Sequence, residues 1–205
     1  MPRTLGRSQR ESLRERRERR ALIDDPDVVL NAAARFLEIR SRSVAEVRRH
    51  LTQAGYRADL VDAAVARLTD LGMLDDATFA RMWVESRDRA RPRSEAALRR
   101  ELNLKGIDRE LAAEVLDARR GGGPGPGGGG DAGEAGDGPD MLAAERLLRK
   151  RGSALARIAD PRARRQRAYA LLARNGFDPE VCREATRRLF AAAQEAATDP
   201  AAPDD

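Results

Sequence analysis

A chain of 205 residues that is 36% charged and only 3% aromatic has room for one or two domains but few rings to line a ligand pocket. Its formal charge of +5 is uneven: residues 140–190 hold 13 Lys and Arg against 6 Asp and Glu, residues 1–24 hold 8 against 4, and residues 25–120 are nearly balanced at 18 against 17. This lowers the expectation of a small-molecule enzyme and raises that of an acidic partner. One cysteine, Cys182, leaves no internal disulfide. The start, MPRTLGRSQRESLRERRERR, has no apolar segment and does not read as a secretory signal. No run approaches the roughly 20 apolar residues of a membrane span. A soluble, cytoplasmic, monomeric protein without a membrane partner is expected.

Residues 1–24, with eight arginines, read as a solvated basic tail, disordered or frayed-helical. From Pro26 the positions Val29, Leu30, Ala33, Phe36 and Leu37 share one helical face. The basic turn Arg40-Ser41-Arg42 ends that helix. Ser43-Val-Ala-Glu46 is a capping box opening a second one, with Val47 and Leu51 inward and Gly55 at its end. A third helix carries Leu60, Val61, Ala64, Val65 and Leu68 and stops at Gly72. These helices make a first repeat over 25–74.

Asp75 and Asp76 stand where a helix starts, because a short carboxylate accepts from free N-terminal amides. The apolar run behind them, Phe79, Met82 and Trp83, is spaced three and four apart, with Phe79 and Trp83 as core, and Pro92 breaks the helix. Ser94 caps a helix with Leu98 and Leu102 inward, closed by Gly106 in the left-handed conformation. The second repeat spans 75–120. A 51-residue shift maps Ser43, Val47, Arg48–Arg49, Leu51 and Gly55 onto Ser94, Leu98, Arg99–Arg100, Leu102 and Gly106. A 121-residue shift maps Leu51, Gly55, Tyr56 and Leu68 onto Leu172, Gly176, Phe177 and Leu189, which places a third repeat over 140–190. Residues 121–139 are Gly-rich and read as a flexible linker reaching roughly 25 Å. Residues 191–205 read as a disordered tail. The predicted fold is all-α: an elongated tandem array of three three-helix repeats, the third behind the flexible insert.

Catalytic chemistry has little to stand on. His50 is the only histidine and sits beside Arg48 and Arg49, and one His with one Cys cannot close a structural zinc site. No GxxxxGK[ST] occurs, and the glycine tract holds Pro124 and Pro126 without the lysine a phosphate cradle needs. Asp75–Asp76 fits a helix cap and Asp24–Asp25 precedes a proline, so a two-metal site is not the expected reading of either pair. No catalytic, cofactor or metal residue is assigned.

The runs LGMLDDATFARMWVESR and RPRSEAALRRELNLKGID resemble the RecX family of bacterial recombination regulators. So do ARFLEIRSRSVAEVRRHLTQAGY in the first repeat and RRQRAYALLARNGFDPEV in the third. The resemblance implies a non-enzymatic regulator that lodges in the helical groove of the RecA recombinase filament and restrains its ATPase and strand exchange. The third repeat departs from the other two by carrying Ala168–Tyr169 where they have paired arginines.

Candidate contacts are the basic residues at turns and outward faces. They are Arg40, Arg42, Arg48, Arg49, Arg89, Arg91, Arg93, Arg99, Arg100 and Lys105, with Arg162, Arg164, Arg165 and Arg167 in the third repeat. Each could instead be a solvated helix arginine paired with a nearby carboxylate, worth a few tenths of a kcal/mol. The competing reading is a stand-alone DNA-binding module using the same residues. Its affinity should be weak and sequence-tolerant, because Phe79 and Trp83 are spaced as core, and Tyr56 and Phe177 as plugs after helix ends, leaving no platform for bases.

Overall fold

The computed structural model describes residues 12–121 and 138–198, with side chains described through Ala191, and every regular element among them is a helix. The rest of the amino-terminal tail, residues 122–137 of the expected linker and residues 199–205 lie outside the described residues. The chain divides into two compact units, one ending at Phe79 and the other starting at Ala80.

The first unit opens with α1 (Leu13–Ala21), inside the stretch expected to be a disordered or frayed-helical tail. Ser12 and Glu15 form a capping box: the Glu15 amide donates to Ser12 Oγ (3.2 Å) and the Ser12 amide to Glu15 Oε2 (2.7 Å). Although α1 buries none of its residues, it is tied down, since Arg20 donates to the carbonyl of Ala54 and lies over the Tyr56 ring. Then come α2 (Pro26–Glu38), α3 (Val44–Ala54) and α4 (Ala58–Asp70). Asp25 caps α2, and the Ser43–Glu46 box caps α3 as the spacing predicts. Their shared core is Val29, Ala33, Val47, Leu51, Val61, Ala64, Val65, Leu68 and Leu74, with Leu30, Phe36, Leu37, Tyr56 and Leu60 at its edge. Gly55 turns the chain out of α3 at φ +103°, and a Cβ there would fall 2.8 Å from the backbone of Arg17. That position admits only glycine.

Helix α5 (Asp76–Ala90) carries the chain into the second unit. Its inward stripe centres on Phe79, Ala80 and Val84, which puts Met82 on the opposite side, 53% exposed, and Trp83 at the half-buried margin. Phe79 is core as expected, whereas Trp83 is not. Buried Pro92 lies in the turn before α6 (Glu95–Leu104), and α7 (Arg109–Gly121) follows Gly106, whose φ is +78°. The third repeat is built from α8 (Pro139–Lys150), α10 (Pro161–Arg174) and α11 (Pro179–Thr198), with a short α9 (Gly152–Ala156) that the periodicity does not reveal. Its core joins Ala143, Ala144, Leu147, Leu148, Leu155, Ala168, Leu172, Phe177, Cys182 and Ala185. Ala168 is buried like Val47, its counterpart under the 121-residue shift, so the register of the paired arginines falls on Tyr169–Ala170. Helix α11 continues beyond residue 190 to Thr198.

One device recurs between consecutive repeats. Asp76, in the first turn of α5, accepts a hydrogen bond from the Val44 amide at the start of α3 (2.9 Å). Asp140, in the first turn of α8, accepts one from the Glu95 amide at the start of α6 (2.8 Å). Val44 and Glu95 are equivalent under the 51-residue shift. In both places the first helix of one repeat caps the second helix of the repeat before it, satisfying an amide that the helix cannot satisfy itself.

Candidate partner-binding surface

The structure sorts the fourteen candidate basic residues into two groups. In the first unit, Arg40 is half-exposed and bound to Glu46 (3.1 Å), and Arg48 is paired with Asp62 (3.0 Å). Arg42 lies over the Phe36 ring at 4.2 Å, and that ring stacks on His50 with centroids 3.8 Å apart and planes 4° from parallel. His50 therefore titrates below its ordinary value, first because of burial and then because of the charges of Arg42 and Arg20. Arg49 alone of the four is exposed with no side-chain partner among the described residues.

In the second unit, Arg93 lies 3.6 Å from Glu101 and Arg99 is paired with Glu95 at 2.9 Å. Lys105 and Arg87 both lie over the Trp83 ring, at 4.7 and 4.4 Å. Glu101 ties that cluster together by accepting from Trp83 Nε1 (2.9 Å) and Arg87 Nε (2.6 Å). Arg164 donates to the carbonyls of Ile158 and Ala159, and Arg165 lies over Phe190 at 5.6 Å. Arg89, Arg91, Arg100, Arg162 and Arg167 are exposed and their side chains have no partner among the described residues. Near Arg89 the Lys150 ammonium donates to the Arg89 carbonyl at the end of α5, where exposed carbonyls favour a cation.

The repeat register explains much of this sorting. Phe36, Arg42 and His50 map onto Arg87, Arg93 and Glu101 under the 51-residue shift. The same triangle is held by stacked rings and an arginine in the first repeat, and by a carboxylate shared between two arginines in the second. Arg48 and Arg99, the first members of the paired arginines, are each tied to a carboxylate. Arg49 and Arg100, the second members, are both exposed with no hydrogen-bond or ion-pair partner among the described residues, although the Arg100 guanidinium lies beside Gly176. What remains available to a partner is a smaller set than the sequence suggests.

Two features escaped the sequence reading. Arg119, whose side chain is 9% exposed, donates twice to Asp88 at 2.9 Å and once to Asp140 at 3.4 Å. Burial pushes the Asp140 carboxyl above its ordinary value, while the Glu95 amide and the Arg119 charge pull it back. The other is a cluster on α10 and α11 of Arg165, Tyr169, Arg183, Arg187 and Phe190, which the α11 spacing of i, i+4 and i+7 would have revealed had it been read from Arg183.

Comparison with known proteins agrees with the three-repeat architecture. Residues 30–68, 75–116 and 141–186 match the models of the first, second and third three-helix domains of RecX. The chain is 34% identical over 162 residues to the regulatory protein RecX of Mycobacterium avium (strain 104), covering 78% of this chain and 84% of that protein. It is 33% identical over 165 residues to the regulatory protein RecX of Mycobacterium tuberculosis, covering 78% and 85%. The crystal structure of RecX from Lactobacillus salivarius superposes with a TM-score of 0.60 at 19% identity, covering 82% of this chain and 98% of that one. A second crystal structure of a regulatory protein RecX gives 0.55 at 16% identity, covering 76% and 68%. With its three tandem three-helix domains each matched in order, the chain belongs to the RecX family of regulatory proteins.

Proposed function

We propose that this protein binds the RecA recombinase filament in its helical groove and restrains its ATPase, strand exchange and recombination without catalysing a reaction of its own. It would act in the cytoplasm as a monomer, with no cofactor. Family membership supports the reading, and one observation carries it: Arg49 and Arg100 occupy the same register of successive repeats, exposed and unpartnered while their neighbours Arg48 and Arg99 are internally paired. Charges that recur at the same register of successive repeats suit a partner that itself repeats, and a filament of identical protomers is such a partner.

Co-sedimentation with RecA filaments on single-stranded DNA tests this. The protein should enrich in the filament pellet over the amount carried down by DNA alone, and graded doses should lower RecA ATPase turnover. Replacing Arg49 and Arg100 by glutamate together should weaken filament binding by about tenfold or more, since charge reversal adds repulsion to the lost contact. No enrichment over bare DNA would refute the proposal.

A further inference from the structure

Arg119 breaks the repeat pattern. Under the 51-residue shift it stands where the first repeat has Leu68, and the 121-residue shift takes Leu68 to Leu189 of the third. Leu68 is a core residue, and Leu189 packs at the edge of the third core. Asp88, to which Arg119 is bound, stands where the first repeat has Leu37, again at a core edge. The second repeat therefore holds an ion pair, with side chains only 9% and 13% exposed, in the place of two apolar side chains. We infer that this pair is a latch: through Asp140 it holds the third repeat against the second, and its release lets the third repeat swing away as a unit. The inference concerns the free protein and does not depend on filament binding.

The geometry sets this pair apart from a bridge that serves one domain. Arg119 donates from Nε and Nη2 to the two carboxylate oxygens of Asp88, both at 2.9 Å, which leaves Nη1 to reach Asp140 of α8 at 3.4 Å. A planar guanidinium can hold two carboxylates in this way, whereas a leucine here would serve the second repeat alone. A buried pair gives a domain little stability over apolar residues of similar volume. Found in the second repeat and not in the other two, and turned toward α8, the pair is there for docking rather than for folding.

The rest of the junction suits a contact that opens. The third core draws its buried and edge residues from 141–190 and so belongs to that repeat itself. Hydrogen bonds span the junction. The Glu95 amide donates to Asp140 (2.8 Å), Ser94 Oγ to the Gly176 carbonyl (2.6 Å), the Ser94 amide to the Asn175 carbonyl (3.4 Å), and Lys150 to the Arg89 carbonyl. Water can replace such partners at small net cost, which it cannot do for buried apolar surface. The chain between Gly121 and Gly138 is long enough, at about 50 Å fully extended, for the repeats to part without unwinding either helix.

The test is double electron–electron resonance on the full chain. Cys182→Ala removes the native thiol, and spin labels sit at Glu114→Cys in α7 and Arg167→Cys in α10, both exposed positions. The otherwise unaltered chain should give one narrow distance distribution. Asp88→Leu with Arg119→Leu, which restores the first repeat's residues, should keep the helix content while raising the population of longer distances several-fold. Asp140→Asn keeps an acceptor for the Glu95 amide but no charge for Arg119, and should open the junction part-way. Arg120→Gln cuts a bridge to Glu95 inside the second repeat, and should leave the distances unchanged. A narrow distribution that survives the double substitution would overturn the latch, as would a broad one in its absence. So would a loss of helix content on the double substitution, which would make the pair part of the second repeat's own fold.

Discussion

Trp83 shows how one residue changes meaning between a pattern and a fold. Spaced as core, it would lose about 3–5 kcal/mol on truncation to alanine. In the structure it is half-buried, flanked by Arg87 and Lys105, and donates from Nε1 to Glu101. Trp83→Ala should therefore cost about 1–3 kcal/mol, and Trp83→Phe, which removes the donor but keeps a ring, about 1 kcal/mol. Urea denaturation followed by circular dichroism measures both, and a loss above about 4 kcal/mol for the alanine variant would restore the core assignment. His50 makes a second prediction. Its folded value lies below the ordinary 6.5, so the fold favours the neutral ring. The stability this contributes is complete above pH 6.5 and is lost as pH falls through the folded value. Melts between pH 7 and pH 5 should show a decline that His50→Phe abolishes. At the other end of the chain, hydrogen bonds from Arg187 and then Arg188 lower the Glu184 carboxyl to about 2. An NMR titration should find it ionised down to that range, and Arg187→Ala should move its midpoint upward.

At the scale of the helix and its ends, glycines of the same conformation differ in what surrounds them. Gly72 has a φ of +68° with nothing within 4 Å of a Cβ placed on it, whereas the same Cβ on Gly176 (φ +87°) would sit 3.0 Å from Ser94 Oγ and Ala97 Cβ. Gly72→Ala should cost only the left-handed penalty of roughly 1–2 kcal/mol. Gly176→Ala should cost more, because Ser94 is fixed twice, donating to the Gly176 carbonyl (2.6 Å) and accepting from the Ala97 amide (3.2 Å). Equal melting shifts for the two variants would contradict this packing. The elements themselves were largely legible, because caps such as Ser43–Glu46 and Ser94 are local, and Gly55, Gly72, Gly106 and Gly176 all adopt positive φ where the helix ends predict it. Helix α1 was legible in principle too, since Ser12 and Glu15 spell a capping box that the dense arginines obscured. The site was harder to read. Whether an arginine is spoken for depends on partners far along the chain, as with Arg48 and Asp62 or Arg119 and Asp88, and helical periodicity carries no information about those.

For the molecule as a whole, the question is whether a partner engages one repeat or several. Arg49 lies in the first unit and Arg100 in the second. If a filament grips both, reversing each charge singly should weaken binding, and the double variant should lose the sum of the two free energies, as independent sites do. If only one repeat is gripped, one of the single variants will match the double. The loaned carboxylates bear on this whole-chain scale as well. Asp76→Ala would strip the Val44 amide of its acceptor and Asp140→Ala the Glu95 amide, each costing about 1–3 kcal/mol. Because each acceptor belongs to the repeat that follows, a ribosome delivers it late. The second helix of every such repeat leaves the exit tunnel with an amide still in water, and locks only when the start of the next repeat has been made. Folding then advances down the chain in steps set by translation, and a stalled nascent chain would keep its last repeat soft while those upstream had already closed.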